Sequence, residues 1–253
     1  MKNPARGLAR ELPTSATAAE VEEIEVFTPD ELSRLLLTAG RDYHEWHAFV
    51  LCLARSGVRL GEAVALEWRD VDFDRRVLLI RRSERRARVS VPKSGKARCV
   101  EMSRQLARVL ADRKSFQEAE AALADHAAPA RVFLHPGTAS PIRDDAWRNN
   151  VWTPMLRRAG LRYRKPHTLR HTFASLLIEG GESLKYVQEQ LGHHCPGFTL
   201  AVYGHLLPRG DRRAVDRLDD ATESNPRATA PTESDPLLRD STRIHGEVSL
   251  PAH

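Results

Sequence analysis

Apolar residues recur at helical spacing along most of the chain, and this pattern predicts a mainly helical protein. The first helix has a clear start signal, since Thr28 caps it, Pro29 suits the first helical position and Glu31 completes a capping box. Leu32 and Leu35 then continue the helical period. The same periodicity predicts helices over 44–55, 59–66, 103–125, 143–159, 168–179, 183–191 and 199–206, with glycines at 57, 180–181 and 192 as helix ends.

The segment 77–102 interrupts this pattern. β-Branched residues alternate with polar ones there, and Ser94-Gly95 has turn chemistry, so we predict two or three short antiparallel strands. The chain is therefore expected to adopt an α+β fold, mainly helical, with a small antiparallel sheet of about three strands. The sheet carries a group of positive side chains: Arg81, Arg82, Arg85, Arg86 and Arg88. Contacts between such residues and phosphates give an affinity that falls steeply with salt.

Charge is distributed unevenly along the chain. The formal net charge of the 253 residues is +5. Residues 216–253 contain four Arg and eight acidic residues, a net charge of −4, so residues 1–215 carry +9. A basic body favours a polyanionic partner such as nucleic acid, although solubility alone accounts for the charge equally well. The segment after about residue 218 is rich in Asp, Ser, Thr and Pro and is predicted to be disordered.

Composition disfavours several classes of protein. The sequence has no run of about 18 apolar residues, so no membrane association is expected. Its N-terminus lacks the apolar stretch of a signal peptide. Cys52, Cys99 and Cys195 are far apart and form no C-x-x-C motif, which favours a reducing cytoplasm over a disulfide framework or a thiolate zinc site.

One predicted helix, in "KPHTLRHTFASLL" (165–177), groups two imidazoles with a guanidinium. His167, Arg170 and His171 share a helical face, while Leu169 and Phe173 lie on the opposite, core-facing side. We expect the polar trio to point out of the core, either as a solvated face or as a phosphate site. A metal site is disfavoured, because the H-E-x-x-H spacing is absent and an arginine would repel the ion.

A second motif, "LGHHCPGFTLAVYGHL" (191–206), places His193 in a loop and Tyr203 on a short helix. For Tyr203, core packing is a competing interpretation, because Leu200 and Leu207 complete an i, i+3, i+7 stripe with it. For His193, the alternative is a contact at a helix C-terminus. Zinc binding by 193–195 is disfavoured, since adjacent residues rarely converge on one ion.

Two further motifs carry isolated cations. In "SGVRLGEAVALEWRDVD" (56–72), Arg59 follows a glycine turn, and Glu62 is a natural structural partner one turn away. The helices over 44–66 also resemble a helix-turn-helix. In "VPKSGKARCV" (91–100), Lys93 or Lys96 lies at a hairpin tip, where a lysine either keeps the turn soluble or reaches a bound substrate.

Taken together and in this order, the four motifs resemble the catalytic domain of the tyrosine recombinase (phage integrase) family. The resemblance covers residues 26–218 and adds "YGHL" to the matching stretches. It implies six catalytic positions: Arg59, Lys93, His167, Arg170, His193 and Tyr203. His171 matches a residue that is usually structural, and Lys96 is a rival to Lys93 because the hairpin register is not fixed by sequence.

The implied roles are those of DNA strand cleavage through a 3′-phosphotyrosine. Arg59 and Arg170 would clamp the scissile phosphate, and Lys93 would protonate the leaving 5′-oxygen. His167 would assist proton transfer, and Tyr203 would be the nucleophile. A phenol has a pKa near about 10, so it needs a base or a cationic environment to attack at neutral pH.

Rejoining needs no ATP, because the covalent link retains the bond energy, and no metal or other cofactor is expected. His193 would occupy the third position of the Arg-His-Arg-His pattern of the family.

The resemblance also implies the organisation and partners of the chain. Residues 1–25 resemble the linker after a separate N-terminal DNA-binding domain or a remnant of that domain, 26–218 would be the catalytic domain, and 219–253 a disordered acidic tail. Double-stranded DNA is the expected partner, with self-association on DNA, in a bacterial or phage-derived protein of the cytoplasm and nucleoid. Two alternatives stay open, namely a non-catalytic DNA-binding remnant of an integrase and a type IB topoisomerase-like enzyme. The DNA site and the direction of reaction are not predicted.

Overall fold

The computed structural model describes residues 24–85, 88–90, 97–193 and 196–206. Several predicted features lie outside these residues: most of the N-terminal linker, the acidic tail, Arg86, both hairpin lysines (Lys93 and Lys96), Ser94-Gly95, His194, Cys195 and Leu207.

Helices make up most of the described chain. They are α1 (Pro29–Asp42), α2 (His44–Ser56), α3 (Leu60–Val64), α4 (Arg104–Leu123), α5 (Asp144–Trp147), α6 (Thr153–Arg158), α7 (Thr168–Glu179), α8 (Leu184–Leu191) and α9 (Pro196–Tyr203). Two 3₁₀ turns, Trp68–Asp70 and Gly204–Leu206, and a π-helical turn, Arg148–Trp152, complete the helical part. None of the helices in the described segments has the length and apolar character needed to cross a bilayer.

The strands form two small antiparallel sheets. They are β1 (Val71–Asp72), β2 (Val77–Ile80), β3 (Ser83–Arg85), β4 (Arg88–Ser90) and β5 (Arg98–Glu101). Strands β1, β2 and β5 form one sheet in that order, with Leu78 opposite Val100, and β3 pairs with β4. The predicted mainly helical α+β fold with a small antiparallel sheet is confirmed.

The predicted helix start at Thr28 and the predicted glycine ends at 57, 180 and 192 are confirmed, whereas α3 ends at Val64 instead of 66 and α9 begins at Pro196 instead of 199. The Thr28 hydroxyl accepts the Glu31 N–H at 3.2 Å, and the Glu31 carboxylate accepts the Thr28 N–H at 3.0 Å, which completes the capping box of α1. At the C-terminal ends of α2 and α8, Gly57 and Gly192 adopt φ angles of 61° and 66°. Glycine is favoured at such positions because the left-handed region is strained for other residues.

The prediction of one α-helix over 143–159 is wrong in its centre. The chain forms a π-helical turn between α5 and α6, and the Thr153 N–H bonds to the carbonyl of Arg148, five residues earlier. Pro154 has no N–H, so it cannot supply the α-helical bond at the next position. The Thr153 hydroxyl also donates to the Arg148 carbonyl, at 2.9 Å.

The basic strand region is partly neutralised by acidic neighbours. Arg81 Nε lies 2.8 Å from Asp70 Oδ1, and Arg82 Nη2 lies 3.1 Å from Glu67 Oε2. Arg82 also pairs with Asp70. These two of the five arginines predicted as phosphate contacts therefore have carboxylate partners within the protein.

Helix α7 contributes to both hydrophobic clusters of the described chain. Its Leu169 belongs to the large cluster, which also contains Leu51 of α2 and Leu78 of β2. Further along, α7 joins a small cluster with α8 and α9: Ala174, Ile178, Val187, Leu191 and Tyr203. The helix that carries the predicted polar trio is thus fixed at both ends by packing.

We predict that Gly57→Ala destabilises the protein more than Gly181→Ala. Both glycines have positive φ, but a Cβ on Gly57 would lie 2.4 Å from Phe173 Cδ1, whereas nothing lies within 4 Å of one on Gly181. The shared backbone strain costs about 1–2 kcal/mol, and overpacking adds about 1–3 kcal/mol at Gly57 alone. Urea unfolding of both variants measures the difference, and equal losses would contradict the steric argument.

Candidate active site

Arg170 is almost completely buried, at 3 % exposure, on α7. Its Nη1 donates to the Gly57 carbonyl at 2.7 Å and its Nη2 to the Leu191 carbonyl at 2.6 Å. The expectation that Arg170 points out of the core is therefore wrong, because backbone carbonyls at the ends of α2 and α8 satisfy the guanidinium inside the protein. Burial, followed by the charge of Arg59, lowers the pKa of Arg170 to about 9, so it stays cationic at neutral pH.

Arg59 is the residue immediately before α3, and Glu62 is its partner as predicted. The Arg59 backbone N–H donates to Glu62 Oε2 at 2.8 Å, and Nη1 donates to Oε1 at 3.0 Å. The Arg59 side chain is 26 % exposed, while that of Glu62 is fully buried. One guanidinium nitrogen of Arg59 is thus bound to Glu62, while the side chain as a whole stays partly exposed.

Glu62 binds a second arginine, Arg98 on β5, which the sequence analysis did not single out. Arg98 Nη1 donates to Oε1 at 3.0 Å and Nη2 to Oε2 at 2.6 Å, while Nε donates to the Gln190 carbonyl at 3.1 Å. Burial alone would raise the pKa of Glu62. The hydrogen bonds and charge of Arg98, followed by those of Arg59, outweigh burial and lower that pKa to about 2.

The two predicted histidines are neutral in this environment. Desolvation, then the charges of His171 and Arg170, lower the pKa of His167 to about 4. Desolvation, then the charges of Arg170 and Arg59, lower the pKa of His193 to about 3. The His193 Nδ1 lies 2.9 Å from the Thr199 hydroxyl. Neutral imidazoles can accept protons, which charged ones cannot.

Tyr203, at the end of α9, is buried at 1 % exposure within the small hydrophobic cluster. Its hydroxyl lies 2.8 Å from His171 Nδ1. Burial raises the pKa of Tyr203 to about 12, against the opposing charge of Arg170. Tyr203 is thus a packed core residue, but the predicted apolar stripe does not account for this, because Leu200 is 53 % exposed.

His171 is therefore a functional candidate that sequence reasoning undervalued. Its ring packs edge-on against His167, with 4.9 Å between centroids, and its Nδ1 is hydrogen-bonded to the Tyr203 hydroxyl. The sequence did contain one indication of this role, because His171 directly follows Arg170 on α7 and both side chains therefore lie near the candidate site.

The structure brings together five of the six predicted positions, and Lys93 lies outside the described residues. Arg170 bonds to carbonyls two residues before Arg59 and two before His193, and His171 connects His167 to Tyr203. Among the residues that the structure describes, no group of three or more His, Cys, Asp or Glu side chains is arranged to hold a metal ion. The arrangement suits an anion and a nucleophilic phenol.

Comparison with known proteins agrees with this geometry. The model of the phage integrase family matches residues 25–209. The chain belongs to the phage integrase family. Of the curated relatives, it is 27 % identical over 241 residues to the XerC-like tyrosine recombinase of Caldanaerobacter subterraneus, covering 87 % of this chain and 60 % of the relative. It is 27 % identical over 209 residues to the ICEBs1 integrase of Bacillus subtilis, covering 79 % and 55 %.

Solved structures show the same fold. The integrase of transposon Tn1549, in complex with transposon right-end DNA, superposes with a TM-score of 0.64 at 17 % identity, covering 82 % of this chain and 68 % of that one. The fold of the chain is therefore that of this integrase. The chain spans only about 60 % of the length of the XerC-like relative.

We predict that the bond between His171 and Tyr203 stabilises the folded protein. A double-mutant cycle with His171→Ala and Tyr203→Phe should give a coupling free energy of about 1 kcal/mol, as for a buried hydrogen bond. The matched control is Tyr186→Phe with Glu101→Ala, whose hydroxyl–carboxylate bond of 3.0 Å lies at the exposed surface. A coupling in the buried pair no larger than in the surface pair would contradict the prediction.

We also predict that His167 makes the protein sensitive to acid. The unfolded ring takes up a proton near about pH 6.5, but the folded ring does so only near about pH 4. Stability is therefore fully present above pH 6.5 and falls as the pH drops towards 4.

The unfolding free energy of the wild type falls between pH 7 and pH 5, and in His167→Asn this fall should be smaller by about 1 kcal/mol. This value includes a reduction for solvent screening at the partly exposed ring. Urea titrations of both proteins at each pH measure this. Identical losses in the two proteins would show that His167 is not the group responsible.

Proposed function

We propose that the chain is the catalytic part of a site-specific DNA recombinase that cleaves and rejoins DNA through a 3′-phosphotyrosine. The carrying observation is that α7 connects the described positions of the candidate site: Arg170 bonds to carbonyls two residues before Arg59 and two before His193, and His171 contacts His167 and bonds to the Tyr203 hydroxyl. This proposal extends to residues 26–218 as the catalytic domain.

The proposed phosphate site has two different arginines. Attack on a phosphodiester builds negative charge on its non-bridging oxygens, and planar guanidiniums stabilise this charge with paired hydrogen bonds. Arg59 is the accessible member, whereas Arg170 has two donors on backbone carbonyls. Arg170 therefore contributes its positive charge from inside the protein. Arg59 is the arginine suited to direct contact with the phosphate oxygens.

The proposed cleavage step transfers the phosphate from the DNA 5′-oxygen to Tyr203. The Tyr203 oxygen forms a bond to phosphorus, and the bond from phosphorus to the 5′-oxygen breaks. The phenolic proton passes to a neutral imidazole, and His171 is the one already bonded to that hydroxyl, with His167 against it. Lys93 donates a proton to the leaving oxygen. In the rejoining step, a 5′-hydroxyl attacks the phosphotyrosine and these proton transfers reverse.

Burial of Tyr203 adds a requirement to this mechanism. At 1 % exposure the side chain has no open path to a phosphate in the described conformation. Attack therefore requires the end of α9 to shift so that the hydroxyl meets phosphorus. Loss of the aromatic ring from the small cluster with Val187 and Leu191 opposes this shift.

We infer double-stranded DNA as the partner, with self-association on it, in a bacterial or phage-derived protein of the cytoplasm and nucleoid. The basic charge of residues 1–215 and the DNA-bound state of the Tn1549 neighbour support the partner. Phosphate contacts of this type predict binding that weakens steeply with salt.

The proposal is tested with nicked suicide duplexes from the genomic neighbourhood of the gene, at low salt and with EDTA present. We expect the chain to form an adduct with DNA that survives a denaturing gel, because the nick lets the cleaved fragment dissociate before rejoining. Tyr203→Phe should form no detectable adduct, since phenylalanine has no oxygen to attack phosphorus.

Tyr163→Phe is the matched control, because Tyr163 is an exposed tyrosine, and it should retain the wild-type yield. An adduct in Tyr203→Phe would remove Tyr203 as the nucleophile. Salt-sensitive binding without an adduct, persisting when a family N-terminal domain is fused to the chain, would favour the non-catalytic DNA-binding alternative.

A further inference from the structure

The buried carboxylate of Glu62 is shared by two arginines of different exposure. Arg59 places one guanidinium donor on it, and Arg98 places two, at 3.0 and 2.6 Å. The Arg98 side chain is only 9 % exposed, against 26 % for Arg59. The inner arginine therefore has the two-point contact with the carboxylate, and the outer one has the access to solvent.

Arg98 is itself fixed from several sides. Its Nε donates to the Gln190 carbonyl near the end of α8, and a Cβ on Gly192 would lie 2.4 Å from its Cδ. The neighbouring Glu101 N–H donates to the Gln190 side chain at 2.9 Å, which joins β5 to α8 a second time. Arg98 therefore cannot move to another acceptor without displacing the loop that leads to His193.

The charges of this trio have a consequence for Arg59. One carboxylate and two guanidiniums leave a net charge of +1, and Arg59 is the less compensated arginine because Arg98 has the two-point contact with the carboxylate. Without Arg98, the buried carboxylate would have one partner, and Arg59 would form a closed neutral pair with it. Such a pair would reduce the attraction of Arg59 for an anion and turn its donors inward.

We propose that Arg98 is a positioning residue for Arg59: it compensates most of the charge of Glu62 and so leaves the positive charge of Arg59 available to the scissile phosphate. This inference rests on the proposed function for its substrate, but it makes a claim about Arg59 that is measurable without DNA. Within the described part of the chain, only the Nη1 of the Arg59 guanidinium has a hydrogen-bond partner.

The test compares Arg98→Met with the double variant Glu62→Gln/Arg98→Met. In single-turnover cleavage of a suicide duplex at saturating DNA, Arg98→Met should be about 100-fold slower than wild type, the scale of losing one transition-state donor. DNA affinity should fall by only about fivefold, the weakening of one phosphate contact among several. The double variant should recover at least tenfold, because a neutral amide still caps the Arg59 N–H but no longer attracts its guanidinium.

A merely structural role predicts the opposite for the double variant, which removes more native interactions and should be no faster than Arg98→Met. The matched control is the pair Arg131 and Glu84, another arginine bound to a buried glutamate, at 2.5 Å. The double variant Glu84→Gln/Arg131→Met should cleave the duplex no faster than Arg131→Met. Recovery in that pair too, or none in the Arg98 pair, would overturn the inference.

A second readout separates the inference from the proposed function. Inorganic phosphate is titrated into each protein, and the Nε–H resonance of Arg59 is followed by ¹⁵N NMR. The apparent Kd for phosphate should rise at least fivefold in Arg98→Met and return towards wild type in the double variant. If wild type forms no DNA adduct but shows this pattern, the proposed function fails and the role of Arg98 stands. An unchanged Kd in Arg98→Met would overturn that role whatever the adduct assay gives.

Discussion

The buried guanidinium of Arg170 is the interaction on which the rest of the site depends. It joins the carbonyl of Gly57, which is 113 residues away in sequence, to the carbonyl of Leu191, 21 residues away. Helix ends leave carbonyls without partners, and a cation placed between two such ends satisfies both. Arg59 follows one of these helix ends and His193 follows the other. The side chain of Arg170 therefore sets the distance of Arg59 and of His193 from α7.

The three arginines of the site differ in the groups that compensate their charge. Arg170 is satisfied by neutral carbonyls, and Arg98 by a carboxylate, while Arg59 shares that carboxylate and reaches solvent. Cations grouped in one region repel each other, and the carboxylate of Glu62 reduces that repulsion without neutralising the whole group. Desolvation, followed by the charges of neighbouring residues, lowers the pKa values of His167 and His193, so neither histidine adds a further positive charge to the group.

The sequence predicted the parts of the fold that local chemistry determines. The capping box at Thr28 and the glycine ends of α2 and α8 depend on residues within one turn of each other, so they are readable directly. The family motifs likewise predicted which side chains belong to the candidate site. The π-helical turn before Pro154 was missed because hydrophobic periodicity does not distinguish a single five-residue step within a helix.

The rest of the site could not be predicted because its contacts join distant segments through groups without a sequence signal. A helical wheel assigns Arg170 to a solvated face, since it takes no account of backbone carbonyls from other elements. The bonds from Arg98 to Glu62 and from His171 to Tyr203 span 36 and 32 residues. Neither pair has the short spacing from which a contact could be inferred.

The contact between Gly192 and Arg98 has a consequence for how this site can vary. The glycine leaves room for the aliphatic stem of the arginine, and its φ of 66° turns the chain from α8 towards His193. A side chain at 192 would occupy the space of Arg98, and a shorter residue at 98 would leave the Glu62 carboxylate to Arg59 alone. The two positions are therefore interdependent, and a loop residue without any side chain limits which charge arrangement the candidate site can adopt.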